Sequence, residues 1–191
     1  LNLMQAAIKA GVKTFVFAST LLVYGNSDKP IDQNTPPSPM SGYGRAKLEA
    51  EQRLAKIAAD AGINFVSLRM AHVYGAHSLL FDRIRHGQIF LPGKGDNLFA
   101  HIHIFDAARA LIQAAENGRT GIWVVADELS CTWNYFFEIL QTYHPRLRVT
   151  HVPRIIAHVG TKILSVFFKL TAQANPYPSG AISCWNLRLA V

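Results

Sequence analysis

Tyr43 and Lys47 stand four apart in YGRAK, at the start of a stretch, YGRAKLEAEQRLAKIAAD (43–60), that reads as a strong helix. That spacing puts both side chains on one helical face. A phenol with an ordinary pKa of about 10 is a poor acid/base group near neutrality. An ammonium one turn away stabilises the phenolate and lowers that value. Thr20 ends the apolar run that precedes this helix and can hydrogen-bond the same substrate oxygen. The three together suit proton transfer at a carbinol or carbonyl, in which Tyr43 moves the proton, Lys47 tunes it and Thr20 orients the oxygen. Such a site moves a proton but takes no hydride, so it needs a redox cofactor. A Y-x-x-x-K pair by itself is common on exposed helices, and the weight falls on what surrounds it.

The surrounding elements form a β-α-β unit. Residues 3–10 are good helix formers stopped by Gly11, and TFVFA (14–18) reads as a buried strand. Residues 26–42, with Pro36, Pro37 and Pro39, are loop. In the 43–60 helix Leu48, Leu54, Ile57 and Ala58 supply an apolar stripe and Gly62 the stop, and 63–68 returns to strand. A strand at 101–105, a helix at 106–117, a strand at 122–126 and a helix at 133–142 follow. The fold class is therefore α/β, a doubly wound parallel sheet with right-handed crossovers. In such a sheet ligands bind beyond the carboxyl ends of the strands. Here that means residues 19–25, the helix start at Tyr43, and 69–75.

Composition narrows the class. A chain of 191 residues and 21.1 kDa, half hydrophobic and 16% charged, predicts one packed domain and excludes a disordered chain. Cys131 and Cys184 lie too far apart for a redox C-x-x-C and are too few for a disulfide framework. With no long apolar run and no leader-like opening, the expected location is the cytoplasm. The net charge of +7 is uneven: residues 1–138 hold 13 Lys or Arg against 12 Asp or Glu, whereas 139–191 hold 6 against none. That tail suits an anionic lipid surface or ligand, or an acidic counterpart elsewhere in a longer protein. Nucleic acid fits poorly, because the cations do not cluster among aromatics. Within 154–170, Arg154, His158, Lys162, Ser165 and Lys169 share one helical face, with Ile155, Ile156, Val159, Ile163, Val166, Phe167 and Leu170 around the rest. Such a helix either lies in a membrane interface, as a peripheral contact, or packs its apolar side on the domain or a dimer partner. His101 and His103 are read as structural rather than as a metal pair, Cys131 as a buried small residue, and Trp123, Trp133 and Trp185 as core or interface. Tyr24 and Tyr74 either line a substrate pocket or pack.

Four segments in order, FVFASTLLVYG (15–25), YGRAK (43–47), LRMAHVYG (68–75) and GDNLFAHIHIFDAARA (95–110), resemble the extended short-chain dehydrogenase/reductases. That superfamily includes the NAD-dependent epimerases and dehydratases and the 3β-hydroxysteroid dehydrogenases, and the resemblance covers about residues 1–140. It implies an NAD- or NADP-dependent oxidoreductase transferring hydride at a secondary alcohol or ketone. It implies catalytic roles for Thr20, Tyr43 and Lys47, cofactor contacts from Ser19, Tyr43, Lys47, Met70, Ala71 and Val73, and a structural helix N-cap role for Asp106. Substrate contacts would come from Tyr24, His72 and Phe99. The family's G-x-x-G-x-x-G turn and acidic ribose-binding residue are absent from these 191 residues, and Gly93 and Gly95 do not replace them. The opening helix looks like the one after the family's fourth strand. The resemblance thus implies a fragment that binds the cofactor poorly by itself. Residues 1–75 would be the C-terminal half of the dinucleotide-binding domain, and 76–191 mostly a substrate-binding region with strands returning near 101–126. Phe99 stands where sugar enzymes commonly have a phosphate-gripping Arg, and His72 where many have an Asn. With GDNLF, this favours a hydroxysteroid-like apolar substrate. The alternatives are a nucleotide-sugar epimerase or dehydratase, and a non-catalytic dinucleotide-binding sensor or scaffold. Homodimerisation through the long helices is a family expectation.

Overall fold

The computed structural model describes residues 1–76, 78–170 and 187–191. In chain order the elements are α1 (Asn2–Lys9), β1 (Thr14–Thr20), a 3₁₀ turn (Leu21–Val23), α2 (Gly42–Ala61), β2 (Asn64–Met70), β3 (His72–Tyr74), α3 (Leu79–Arg85) and β4 (Gln88–Pro92). Then come β5 (Leu98–Phe99), β6 (His101–His103), α4 (Ile104–Asn117), β7 (Gly121–Val125), β8 (Cys131–Thr132), α5 (Trp133–Tyr143), β9 (Arg148–Val152) and α6 (Arg154–Leu170). The chain divides into two compact units, leaving the first twice and returning to it.

The first unit is Leu1–Gly75, Ala100–Ser130 and Leu189–Val191. Its sheet runs β1-β2-β7 with both pairings parallel. Thr20 pairs with Met70 and Met70 with Val125, so the three carboxyl ends finish level. Alternate residues of β2 serve opposite faces. Phe65 joins a core with Met4, Leu54 and Ala58 from α1 and α2, while Val66, Leu68 and Met70 are buried on the other side. Ser41 caps α2 by accepting a hydrogen bond from Gly44 N at 3.0 Å, and Gly62 ends it in the left-handed region. The short β3 pairs in parallel with β6.

The second unit is Ala76–Phe99 and Cys131–Arg188. It contains a parallel pair, β4 with β9, and an antiparallel pair, β5 with β8. Its core is aromatic. Phe99 stacks on Trp133 with ring centroids 3.6 Å apart, and Phe136 and Phe137 pack around them.

Several expectations need correction. Strands β1 and β2 each run two residues beyond their apolar runs, and β2 takes in Ser67 and Arg69 because a helix carboxylate meets them. Asp106 is not the cap of α4. His103 holds that place, accepting from Phe105 N, and Asp106 sits in the first turn, where the helix dipole favours it, paired with Arg109 at 3.2 Å. Trp133 is core, but Trp123 is 43% exposed, since β7 is an edge strand of its sheet. Cys131 is half-buried, and desolvation raises its thiol pKa. Cys184 and Trp185 lie outside the described residues. The short strands β3, β4, β5, β8 and β9 and the helix α3 carry no periodicity long enough to read.

Candidate active site

The level carboxyl ends of β1, β2 and β7 form the rim on which the predicted residues sit. Thr20 closes β1, and its Oγ1 accepts from Leu22 N at 3.2 Å, capping the 3₁₀ turn. A hydroxyl that accepts still has its own proton to donate. The first turn of α2 rests on that 3₁₀ turn. The approach is close: a Cβ on Gly44 would stand 2.0 Å from the Leu22 carbonyl oxygen. Only glycine fits there, so the residue after Tyr43 fixes how near α2 comes to the end of β1. Tyr43 itself is 54% exposed.

Lys47 is half-buried one turn further along α2. Its Nζ donates to the Ala18 carbonyl at 2.7 Å, tying the helix to β1 two residues before Thr20. The ammonium lies 4.8 Å from the centroid of the Phe17 ring and 5.9 Å from that of Tyr43. Both are cation–π distances. The geometry thus puts a phenol, an anchored ammonium and a capping hydroxyl at one end of one sheet.

One turn further down the same face is Glu51, which the sequence reading passed over. It is buried and accepts from Ser67 Oγ at 2.6 Å and from Arg69 Nε at 3.3 Å, with Arg69 Nη2 on its other oxygen. Arg69 Nη1 donates to the Tyr24 hydroxyl at 2.6 Å, and that hydroxyl donates to the Asp32 carbonyl at 3.0 Å. Burial raises the Tyr24 pKa against the pull of Arg69, so the phenol stays neutral and keeps its proton for Asp32. The signal was in the sequence: Glu51 is in phase with Leu54 and Ala58 on the inward stripe, and Arg69 interrupts an apolar strand. Two charges in buried phases predict each other.

The remaining predicted residues divide. Met70 and Ala71 are buried and Val73 half-buried just past the rim, a mostly apolar floor. Ser19 is buried with its Oγ unpartnered. His72 opens β3 with a face to solvent; surrounding protein lowers its imidazole to about 4, and His101 beside it in the β3–β6 register adds to the drop. Water at the open face works against that drop, and on either account the ring is neutral at pH 7. Tyr24 belongs to the buried network, not to an open wall, and Tyr74 packs on His101 and His103. Phe99 is committed to the aromatic core of the second unit. Among the described residues no group of three or more His, Cys, Asp or Glu gathers as a metal site.

The second unit has an open cleft of about 850 Å³ lined by Lys94, Asp96, Asn134, His151 and Arg154. Asn134 organises it, donating to the Lys94 carbonyl at 3.0 Å and meeting His151 Nε2 at 2.9 Å.

The chain is similar to several known proteins. The model of the NAD dependent epimerase/dehydratase family matches residues 1–126. A UDP-glucose 4-epimerase of Azospirillum brasilense is 40% identical over 77 residues, 40% of this chain and 22% of that protein. An N-acetyl-alpha-D-glucosaminyl-diphospho-ditrans,octacis-undecaprenol 4-epimerase of Escherichia coli O157:H7 is 22% identical over 182 residues, 90% of this chain and 55% of the relative. Among solved structures, MoeE5 in complex with UDP-glucose and NAD superposes with a TM-score of 0.73 at 27% identity, covering 79% of this chain and 55% of that one. The chain therefore spans about half the length of these relatives, or less. The fold is that of the Rossmann-type epimerases and dehydratases, and the chain belongs to the NAD-dependent epimerase/dehydratase family.

Proposed function

We propose that the intact protein is an NAD-dependent epimerase or dehydratase acting on a sugar carried on a diphosphate. The observation that carries this reading is the rim triad: Tyr43 and Lys47 on one face of α2, the ammonium anchored on the Ala18 carbonyl, and Thr20 at the end of β1. NAD, when bound, accepts or returns the hydride of a ring carbinol. Tyr43 takes the hydroxyl proton as that carbon is oxidised and gives it back on reduction. Lys47 holds the phenol towards its ionised form, and Thr20 orients the sugar oxygen. The residues present fit the nicotinamide end of the cofactor. Lys47 offers a cation at the rim, Ser19 a buried hydroxyl awaiting a partner, and Met70, Ala71 and Val73 an apolar floor.

The hydroxysteroid-like reading rests on GDNLF, Phe99, His72 and the basic amphipathic stretch at 154–170. The names of the relatives support the sugar-diphosphate branch instead. Within that branch a polyprenol carrier, as in the name of the Escherichia coli relative, is a second reading, favoured by the apolar outer side of α6. A non-catalytic sensor has less support, since such a protein has no use for both Tyr43 and Lys47.

The test is Tyr43→Phe in the full-length protein, assayed with UDP-glucose. Turnover should fall roughly 10²–10⁴-fold with NAD affinity retained. Turnover equal to the parent's overturns the acid/base role, and a parent that binds NAD without any turnover leaves the sensor.

A further inference from the structure

Leu189–Val191 ties together three parts of the first unit that lie far apart in sequence. The Leu189 carbonyl accepts from Ala100 N at 2.7 Å, the Ala190 carbonyl accepts from Ile31 N at 2.8 Å, and Val191 N donates to Ser130 Oγ at 3.1 Å. The Leu189 side chain is buried, so the segment is seated by an apolar contact as well as by its backbone. Ile31 and Ala100 are buried too, and their N–H groups have no water to turn to if the segment leaves.

Ile31 belongs to the loop 26–40, which leads into Ser41 and Tyr43. The near end of this loop is fixed at the rim. Ser38 N donates to the Val23 carbonyl at 3.0 Å, and Pro39 Cβ lies 3.2 Å from where a Cβ on Gly44 would stand. The far end is fixed at Asp32, whose carbonyl takes the Tyr24 hydroxyl at 3.0 Å, and at Ile31, which Ala190 holds. Asp32 Oδ1 also accepts from Asn34 N and Thr35 N, both at 2.9 Å, and this turn stiffens the chain beyond Ile31. A displacement at Ile31 is therefore passed along the loop towards Pro39.

We infer that Leu189–Val191 is a strap that positions the loop 26–40 and, through it, the approach to Tyr43. The groups given the chemistry have anchors of their own: Lys47 on the Ala18 carbonyl, Thr20 on Leu22 N, and α2 at Gly44 against Leu22. The strap therefore acts on how substrate is received and not on proton transfer. Loosening it should raise KM and leave kcat nearly unchanged. That kinetic consequence rests on the proposed function, whereas the hold on the loop does not.

The experiment is amide hydrogen exchange on the full-length protein, followed at Ile31 and Ala100 with β2 as the internal control, beside steady-state kinetics on UDP-glucose. Leu189→Asp puts a charge in the apolar seat and should speed exchange at Ile31 at least about ten-fold while β2 stays protected. In the same variant KM should rise at least about five-fold with kcat within about two-fold of the parent's. Leu189→Met keeps the apolar seat and should restore both. Should Leu189→Asp loosen β2 as well, Ser130→Ala takes its place: it removes only the acceptor of Val191 N and should speed exchange at Ile31 about three-fold. Exchange at Ile31 that matches the parent's in the variant whose β2 stays protected overturns the strap. So does faster exchange at Ile31 with KM unchanged, since the loop then has no part in receiving substrate. A parent that does not turn over UDP-glucose counts against the proposed function, and exchange at Ile31 then decides the strap by itself.

Discussion

Two polar clusters share one face of α2, and they are built on opposite terms. Tyr43 and Lys47 sit at the open N-terminal end, where the phenol is more than half exposed and the ammonium is held by a single carbonyl and two ring faces. Glu51, one turn beyond Lys47, is sealed in with Arg69, Ser67 and Tyr24, with both carboxylate oxygens engaged. A carboxylate so enclosed has no room for a reactant. Its work is to fasten α2 to β2 and to the segment that follows the 3₁₀ turn. The open cluster has solvent access and a charge beside a titratable oxygen, which is what proton transfer requires. The same helical repeat of four thus delivers a fastening at one level and, on the proposed function, a proton-transfer pair at the other.

The comparison predicts a double dissociation. Tyr43→Phe, with its large loss of turnover, should leave unfolding free energy within about 0.5 kcal/mol of the parent, as befits an exposed position. Glu51→Ala should do the opposite and cost about 3–5 kcal/mol in denaturant unfolding, because it strands Arg69 in the interior. Replacing both members, Glu51→Leu with Arg69→Met, should recover most of that loss, since an apolar pair needs no counter-charge. If Glu51→Ala is as stable as the parent, the network is not the fastening described, and the contrast with the open end fails.

A smaller effect probes the junction of the two clusters. Thr20→Ala removes the cap of the 3₁₀ turn and should cost about 1 kcal/mol of stability. It should lower turnover less than Tyr43→Phe does, because in the proposed function Thr20 orients the oxygen and does not carry the proton. Thr20→Ser keeps the hydroxyl and should restore both. A Thr20→Ser variant as impaired as Thr20→Ala would show that the methyl group, not the hydroxyl, matters at this position.

How far the sequence could be read follows the length scale of each signal. The helix at 43–60 and the strands around it were legible because apolar period and stop residues agree over many positions. The Tyr43–Lys47 face was legible because helical geometry is local. The role of Gly44 was not, since it depends on the approach of Leu22, some twenty residues away in the chain. Nor were the two-residue strands β5 and β8, whose pairing joins segments more than thirty residues apart. Phe99 could be noticed as a departure from a family position, but its stacking on Trp133 is a tertiary fact. The outward turn of α6, which leaves Ile155, Val159 and Ile163 exposed, lay beyond reach for the same reason: helical spacing groups the apolar residues without saying whether they meet the protein.

The smallest effect concerns His72, at the rim beyond β2. Its folded-state imidazole, lowered to about 4, lies below the ordinary value of 6.5. The unfolded chain therefore takes up a proton first as the pH falls. Stability associated with this residue is complete above about 6.5 and is lost as the pH drops through the range down to about 4. The ring keeps a face to water, so screening shrinks the effect. His72→Gln removes the titration, and the difference between parent and variant unfolding curves, measured at pH 7 and again at pH 5, isolates this residue from the other histidines and the carboxylates. The parent should lose slightly more stability than the variant between the two pH values, with the two close at pH 7. A variant that loses as much as the parent would mean that water at the open face already sets the His72 equilibrium. In that case the rim would be wetter than the buried network one layer below it by more than the contrast between the two clusters requires.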